Sequence, residues 1–338
     1  MRPPRHPLLG RDERQLDLRE LDALADAFDA DVVASPEIDQ FCSSTCWTMP
    51  AAQELMPPRQ PAIRRSPDGW LAFMFGEHAA SGRFLEPLEA SWGLACPLVG
   101  PDPVALVHWL ADVLEADREG WDLTLLAGIP AASRLLTSVA FILGKRFRVL
   151  RHGRTGRHVA SLAGGLDGFL SRRSRNLRRS VARAQATARQ RGVTFEHHAP
   201  RTVEEALALF ARVQRVEAAS WKGRAQVGIA EGAFGEFYRN MVPRLARRKA
   251  LHLVLARHGD ADVAFLMGGV FGQTFRGLQM SFHESHRDLA LGNLCQIEQI
   301  SRLSPEVNAY DLGASGLDYK SRWAEQTLDT EILVIMPS

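Results

Sequence analysis

In the first half of the chain, some segments place their apolar residues at the spacing of a helix and others at the spacing of a strand. Asp102 and Ser133 are good helix N-caps, and each precedes an amphipathic run. The elements predicted are, in order, a helix at 16–28, strands at 70–75 and 83–88, a helix at 102–116, a strand at 121–127, a helix at 133–143, and two strands, 147–150 and 158–162, around a turn at 153–156.

The second half gives a longer series. Thr202 and Glu205 form a capping-box pattern that starts a helix, and Gly-containing dipeptides separate three successive apolar runs. The elements predicted are a basic helix at 167–191, a strand at 193–197, helices at 202–219 and 234–248, strands at 251–257, 263–271 and 274–282, a helix at 293–303, a strand at 309–312, a short helix at 319–324, and a last strand at 332–336.

These two series predict an α/β (α+β) protein with two lobes. The length of 338 residues suits two domains of roughly 150 residues each. Both halves end in a βαβαβ-like series, which suggests a structural repeat. Residues 1–15 are predicted to be a tail, and the Pro- and Arg-rich residues 50–67 a connector.

Composition narrows the class of protein. The chain is 46% hydrophobic and 24% charged, which excludes a disordered or fibrous protein, and its net charge is only +2. Its longest apolar runs are shorter than a membrane span, and its basic start lacks the apolar core of a signal peptide. The four scattered cysteines do not suggest a disulfide framework, so we expect a cytoplasmic protein. Cys42 and Cys46 lack further ligands nearby, so no metal site is expected.

The basic helix is a candidate anion site. Residues 171–191 contain no acidic residue, and leucine, valine and alanine form one apolar stripe along it. Arginine binds phosphate and carboxylate groups through two parallel hydrogen bonds. The stretch contains eight arginines: Arg172, Arg173, Arg175, Arg178, Arg179, Arg183, Arg189 and Arg191. A solvated surface helix explains the pattern equally well.

The stretch from 274 to 303 is the most informative part of the sequence. A strand ends at Phe282, a polar loop follows, and a helix begins near Asn293. The unpaired backbone N–H groups of a helix N-terminus bind a pyrophosphate well. The loop Arg287-Asp288-Leu289-Ala290-Leu291-Gly292 resembles the R/Q-x-x-G-x-G/A loop of the GNAT acyltransferases, which grips the pyrophosphate of coenzyme A. Ala290 stands where the first glycine of that loop usually is, although alanine adopts a positive φ less readily.

Three further motifs resemble one branch of that superfamily, the CelD-like acetyltransferases, which are related to the FemAB peptidoglycan transferases. The stretch from Tyr310 to Trp323 is similar to their signature D-F-G-x-G-x-x-x-Y-K-x-x-W. Arg175-Asn176-Leu177-Arg178-Arg179 is similar to their R-x-L-R-R helix, and Ser220-Trp221-Lys222 to their Ser-Trp-Lys. The resemblance covers about residues 165–336.

The resemblance implies a fold and an activity. The fold is a tandem of GNAT-like lobes, each a mixed, mostly antiparallel sheet flanked by helices. Residues 16–165 would be a diverged lobe and residues 166–338 the acyltransferase lobe. The activity is N- or O-acyl transfer from acetyl-CoA, a longer acyl-CoA or a related thioester. The acceptor is an amine or hydroxyl of a small molecule, glycan or peptide that lies between the lobes.

The resemblance also implies site residues. Asp311 is the first candidate for the base, Glu284 and His283 are alternatives, and Tyr319 is the candidate acid. The acceptor and anionic groups would contact Trp221, Lys222, Lys320, Arg175, Arg178 and Arg179. The donor would contact Met280, Ser281, Phe282, Arg287, Leu289, Ala290, Leu291, Gly292 and Asn293.

Two alternatives remain at this point. One is a FemAB-like transferase that takes its acyl group from aminoacyl-tRNA. The other is a non-catalytic, GNAT-shaped module that binds a polyanion or an acyl carrier protein. The basic helix suits both, although it lacks aromatic residues on which bases could stack.

Overall fold

A computed structural model of the chain describes residues 14–57, 59–314 and 318–338. The contacts between residues divide the chain into two compact units. The first comprises the residues up to Thr155 together with Asp329–Ser338, and the second comprises Gly156–Leu328. Residues 1–13 of the predicted tail lie outside the described residues, and Arg14 and Gln15 begin the first strand.

The helices and strands are numbered in chain order. The helices are α1 (Leu18–Ala23), α2 (Ala25–Ala34), α3 (Gln40–Ser43), α4 (Thr45–Glu54), α5 (Pro103–Ala116), α6 (Arg134–Ile142), α7 (Gly165–Ser171), α8 (Arg175–Gln190), α9 (Val203–Ala218), α10 (Trp221–Arg224), α11 (Gly232–Arg247), α12 (Leu291–Leu303) and α13 (Asp318–Trp323). The strands are β1 (Arg14–Leu16), β2 (Gln60–Ser66), β3 (Gly69–His78), β4 (Gly82–Pro87), β5 (Leu98–Val99), β6 (Leu123–Pro130), β7 (Phe147–Ser161), β8 (Val193–His198), β9 (Leu251–His258), β10 (Ala261–Phe271), β11 (Thr274–Phe282), β12 (Ala309–Ala314) and β13 (Gln326–Pro337). Short 3-10 segments occupy Leu143–Lys145 and Glu284–Leu289.

The sheet of the first unit has the order β1-β2-β3-β4-β6-β13. Its neighbours are antiparallel except for β4 and β6, which are parallel. Residues 329–338, predicted to belong to the second lobe, lie in the first unit, where Thr330 to Ile335 pair with β6. The chain therefore returns to its first unit for the last strand of that sheet.

Two predictions in the first unit need correction. The helix expected at 16–28 is broken at Leu24 into α1 and α2. The connector expected at 50–67 instead contains the end of α4 and the strand β2. Pro50 is tolerated inside α4 because every residue from Thr45 to Ala52 is buried, and that packing outweighs the helix-breaking cost of about 3 kcal/mol. Pro61 lies where β1 no longer pairs with β2, so its missing N–H costs no ladder bond.

The turn predicted at 153–156 is also wrong, because β7 is one continuous strand. A tight hairpin turn needs positive φ at its central residues. Neither Gly153 nor Gly156 has a positive φ. These two glycines are extended residues of the strand.

The sheet of the second unit has the order β7-β12-β11-β10-β9-β8. All neighbours are antiparallel except for β11 and β12, which are parallel. The predicted fold class, a mixed and mostly antiparallel sheet flanked by helices, is therefore confirmed in each unit. The parallel pair of the second unit borders the opening described below.

The basic helix predicted at 167–191 is two helices, α7 and α8, separated at residues 172–174. Ser174 caps α8 by accepting a hydrogen bond from the backbone N–H of Leu177. Val181 and Ala188 of α8 are buried in a core that also contains Leu291 and Leu294 of α12. The apolar stripe therefore docks α8 against α12, as amphipathic helices do.

Candidate functional site

The strands β11 and β12 separate part-way along their length. Their register runs from Thr274–Ala309 to Arg276–Asp311 and then stops. Beyond Asp311, a shift in the register between β12 and β7 and a φ of +79° at Gly313 bend β12 away. Residues Gly277–Phe282 of β11 therefore border an opening in the sheet.

A bulge lies on the other edge of β11. Met267 of β10 faces Gln279, but the next residue, Gly268, faces Gly277. Leu278 is thus left without a partner in the register. Gly268 is required here, because a Cβ at this position would lie 2.2 Å from Cζ of Phe275.

A cavity of about 650 Å³ fills the opening. This volume is in the range of small-molecule sites. Its walls come from β10 and β11, the start of α12, β12, α13, and the segment that contains α10. The lining residues are Trp221, Lys222, Val227, Leu266, Gly277, Leu278, Gln279, Met280, Ser281, Phe282, Ala290, Gly292, Asn293, Gln296, Tyr310, Leu312, Tyr319 and Lys320.

The N-terminus of α12 forms one end of the cavity. Ala290 is its N-cap residue, with φ +50° and ψ +37°, and no side chain of the described residues caps the helix. The first-turn N–H groups of a helix carry a partial positive charge. A Cβ on Gly292 would lie 3.1 Å from Sδ of Met280, so glycine keeps this end of the cavity open.

Ala290 is in the left-handed region, which costs an L-residue about 1–2 kcal/mol. Glycine removes this cost but loses more entropy on folding. We therefore expect Ala290→Gly to raise the free energy of unfolding by about 0.5–1 kcal/mol in urea titrations. Ala290→Val, whose branched side chain tolerates positive φ poorly, serves as the matched variant and should lower it. An Ala290→Gly protein less stable than the parent would contradict this account.

Lys222 is held at the cavity wall by three groups. Its Nζ donates to the backbone oxygen of Met280 at 3.0 Å and to Oε1 of Gln279 at 3.2 Å. Nε2 of Gln279 donates to Oη of Tyr238 at 3.1 Å, which fixes the amide orientation. Oε1 of Glu217 lies 3.7 Å from the lysine Nζ. Burial lowers the pKa of Lys222, and the Glu217 carboxylate partly opposes this.

Glu217 is completely buried, and its Oε2 has no hydrogen-bond partner among the described residues. Its Oε1 accepts a hydrogen bond from the backbone N–H of Ile229 at 3.4 Å. Glu217 is not among the site residues predicted from the sequence. The sequence does contain a signal for this residue. Glu217 lies seven residues after Phe210 and four after Val213, so it falls on the apolar stripe of α9. A charged residue on such a stripe indicates a buried partner.

Two further titratable side chains line the cavity from α13. Burial raises the pKa of Tyr319, which keeps its hydroxyl protonated. Burial lowers the pKa of Lys320, whose Nζ donates to the backbone oxygen of Ala314 at 2.7 Å. The structure thus brings the predicted residues Trp221, Lys222, Tyr319 and Lys320 to one cavity.

Two buried polar groups on the cavity wall lack partners within residues 14–57, 59–314 and 318–338. They are Nε2 of Gln296 and Oγ of Ser281. Oε1 of Gln296 accepts from the hydroxyl of Tyr310 at 3.2 Å, so its amide nitrogen is available. Buried polar groups are normally hydrogen-bonded, and these two are therefore ready partners for a polar ligand.

Asp311, the first candidate for the base, is placed differently. It is buried, and its carboxylate forms ion pairs with Arg157 and, at 3.1 Å, with Arg276. Its Oδ1 also accepts from the backbone N–H of Gly313 at 2.7 Å. A carboxylate with these three partners stabilises the point where the strands part. We therefore revise its proposed role from base to structural anchor.

The other candidate bases lie outside the cavity wall. His283 contacts Ser285, with Nδ1 and Oγ 2.7 Å apart. Glu284 forms ion pairs with Arg224 at 3.2 Å and Arg287 at 3.3 Å. These interactions order the loop that precedes α12, so we no longer propose either residue as the base.

The remaining predicted site residues differ in how exposed their side chains are. Leu289 and Leu291 are buried in the core, so only their backbone is available to a ligand. Arg287 is exposed, with a side-chain exposure of 76%. Arg175, Arg178 and Arg179 are exposed on α8 and do not line the cavity.

The described residues contain no group of three or more His, Cys, Asp or Glu side chains that could hold a metal ion. All four cysteines are buried free thiols. Among helices in the described part of the chain, none combines the length and hydrophobicity needed to cross a bilayer.

Comparison with known proteins agrees with this geometry. Residues 171–321 match the family profile of the acetyltransferase (GNAT) domain. No protein of curated function matches the sequence significantly. The second unit thus contains a region that matches the GNAT domain, and its sheet and helices have the GNAT fold. The superfamily resemblance noted in the sequence is confirmed.

Solved structures extend the likeness over the whole chain. FemX superposes with a TM-score of 0.63 at 12% identity, covering 95% of this chain and 96% of FemX. A conserved protein of unknown function from Bacteroides thetaiotaomicron gives 0.63 at 16% identity, covering 96% and 99%. L-PGS from Bacillus licheniformis gives 0.55 at 12% identity, covering 92% and 91%. At these identities the likeness concerns the fold.

Proposed function

We propose that the second unit transfers an acyl group from a thioester, acyl-CoA in the first instance, to an amine or hydroxyl acceptor. The observation that carries this proposal is the cavity at the parting of β11 and β12, which ends on the uncapped N-terminus of α12. A thioester carrier needs both features: a slot for its pantetheine arm and a positive end for its phosphates.

The donor would lie along β11. Its diphosphate would accept hydrogen bonds from backbone N–H groups of the segment 290–293. The amide and carbonyl groups of pantetheine match the unpartnered Nε2 of Gln296 and Oγ of Ser281. Residues Met280–Phe282 would supply backbone N–H groups that polarise the thioester carbonyl.

Lys222 is the proposed base. Its Nζ donates to two acceptors on the cavity wall, and in the neutral form its lone pair would be left to take the proton of the acceptor. Burial lowers the pKa of Lys222, which makes its proton easier to lose, as a base requires. The acceptor's nitrogen or oxygen attacks the thioester carbon and gives its proton to Nζ.

Tyr319 is the proposed acid. As the carbon–sulfur bond breaks, the leaving thiolate takes the proton of the tyrosine hydroxyl. The tyrosinate is then reprotonated by the ammonium of Lys222 or by water, which restores both groups. Lys320 and Trp221 would contact the acceptor. The four buried free thiols support a reducing compartment such as the cytoplasm.

Donor binding is the first test. We expect coenzyme A to raise the thermal midpoint and to bind with a micromolar Kd by calorimetry. Native mass spectrometry of the purified protein should detect any co-purified acyl-CoA. Release of free thiol from acetyl-CoA, measured with a panel of amino sugars, peptides and polyols, separates a transferase from a non-catalytic module. If the protein does not bind coenzyme A and releases no thiol with any acceptor, the proposal is refuted.

A further inference from the structure

The outward face of α8 is strongly basic. Arg175, Arg178, Arg179, Arg183 and Arg189 are all exposed, and among the described residues none of them pairs with an acidic side chain. A helix of 16 residues without one acidic residue is unusual for a solvated surface, where charges of both signs are normally interspersed. The pattern indicates an anionic partner.

The basic face begins beside the donor site. Arg191, just after α8, lies 4.0 Å from Asp288, which is two residues before Ala290 of the cavity wall. The buried stripe of α8, which includes Val181 and Ala188, fixes the rotation of the helix. The arginines therefore extend outward from the loop that we propose to hold the donor's phosphate.

The face is longer than a free coenzyme A requires. Sixteen residues of α-helix extend about 24 Å at 1.5 Å per residue. A donor phosphate bound at residues 290–293 would lie near Arg191, at one end of this face. The arginines farthest from the loop, at the start of α8, would remain unused.

We propose that this face docks an acidic carrier protein, which delivers the acyl group on its phosphopantetheine arm to the cavity. The inference rests on the proposed function and specifies the donor. The arm is the same pantetheine thioester as in acyl-CoA, so the transfer step described above is unchanged. The phosphate of the arm would bind at the N-terminus of α12.

The surface between the arginines favours a protein partner over RNA. Ala182 and Ala186 are exposed and lie on the same side of α8 as Arg175 and Arg179 by helical spacing. Small side chains let an acidic helix approach closely, while the flanking arginines pair with its carboxylates. The helix has no aromatic residue on which RNA bases could stack.

The test uses the full chain and acetylated holo forms of several bacterial acyl carrier proteins. The variant is Arg175→Glu/Arg179→Glu, which changes the end of α8 farthest from the donor loop, and the matched control is Arg201→Glu/Arg215→Glu, which makes the same charge change at exposed positions next to and on α9. We expect the α8 variant to weaken carrier binding at least tenfold and the control less than twofold. Thermal melts verify that both remain folded.

Three measurements distinguish the outcomes. Carrier proteins that do not bind, or that bind both variants equally, overturn the docking proposal. Bulk tRNA that binds more tightly than every carrier protein and displaces it also overturns the proposal, in favour of an RNA partner. Coenzyme A binding is measured on the same samples. If the parent protein neither binds coenzyme A nor releases thiol from any acyl thioester, the proposed function itself is refuted, so the two failures are separable.

Discussion

Replacing Lys222 with arginine should lower kcat for thiol release by about 10²- to 10⁴-fold, the usual contribution of a positioned base. Arginine keeps a positive charge beside Glu217, but it does not give up its proton near neutral pH. The parent enzyme should gain activity as the pH rises through the pKa of Lys222, which burial holds below the ordinary 10.5. In Lys222→Arg this rise should disappear.

Glu217→Gln provides an independent readout. The Glu217 carboxylate raises the pKa of Lys222, so its removal should lower that pKa further. The rising limb of the pH–rate profile should then move to lower pH. The double variant Lys222→Met/Glu217→Gln buries no unpaired charge, so it should fold although it lacks the base. An inactive but folded double variant shows that the loss of activity is not a loss of folding. If Lys222→Arg keeps its kcat and its pH profile, Lys222 has only a structural role.

Gly292→Asp should weaken coenzyme A binding by about 10- to 100-fold, because it places a carboxylate where the donor's phosphates bind. The same carboxylate lies in the first turn of α12, where a negative charge stabilises a helix. The variant should therefore remain folded while it loses its donor. Calorimetry and urea unfolding measure the two effects separately.

Gly292→Asn is the matched control, since it has nearly the same shape without the charge. Both side chains require Met280 to shift slightly, because their Cβ would lie 3.1 Å from Sδ of that residue. Only the aspartate adds repulsion, and added salt should reduce the difference between the two variants. If Gly292→Asp and Gly292→Asn bind the donor equally well, the donor's phosphate does not bind at the N-terminus of α12.

Much of the second unit could be predicted from the sequence, because its signals are local. The capping box at Thr202 starts α9, and the glycine turns after β9 and β10 separate the strands. The first unit was harder to predict. Pro50 lies inside a helix because packing in the surrounding core outweighs its local preference, and no local sequence pattern indicates that it is buried.

The candidate site divides in the same way. Lys222 and Tyr319 belong to short motifs that a reader of the sequence can find, and both line the cavity. Asp311 belongs to the same signature, yet its function depends on Arg157, which is far away in the chain. Long-range pairs of this kind determine which groups a carboxylate contacts. A motif alone does not reveal them.

The ion pairs of Asp311 also bear on how the donor is received. Arg157, Arg276 and Asp311 belong to β7, β11 and β12 and meet where the last two strands diverge. Breaking such a buried cluster is costly, so the width of the gap is set when the unit folds rather than when a ligand arrives. The conformational entropy that is lost in forming the opening is thus lost when the unit folds, so donor binding requires little further reorganisation.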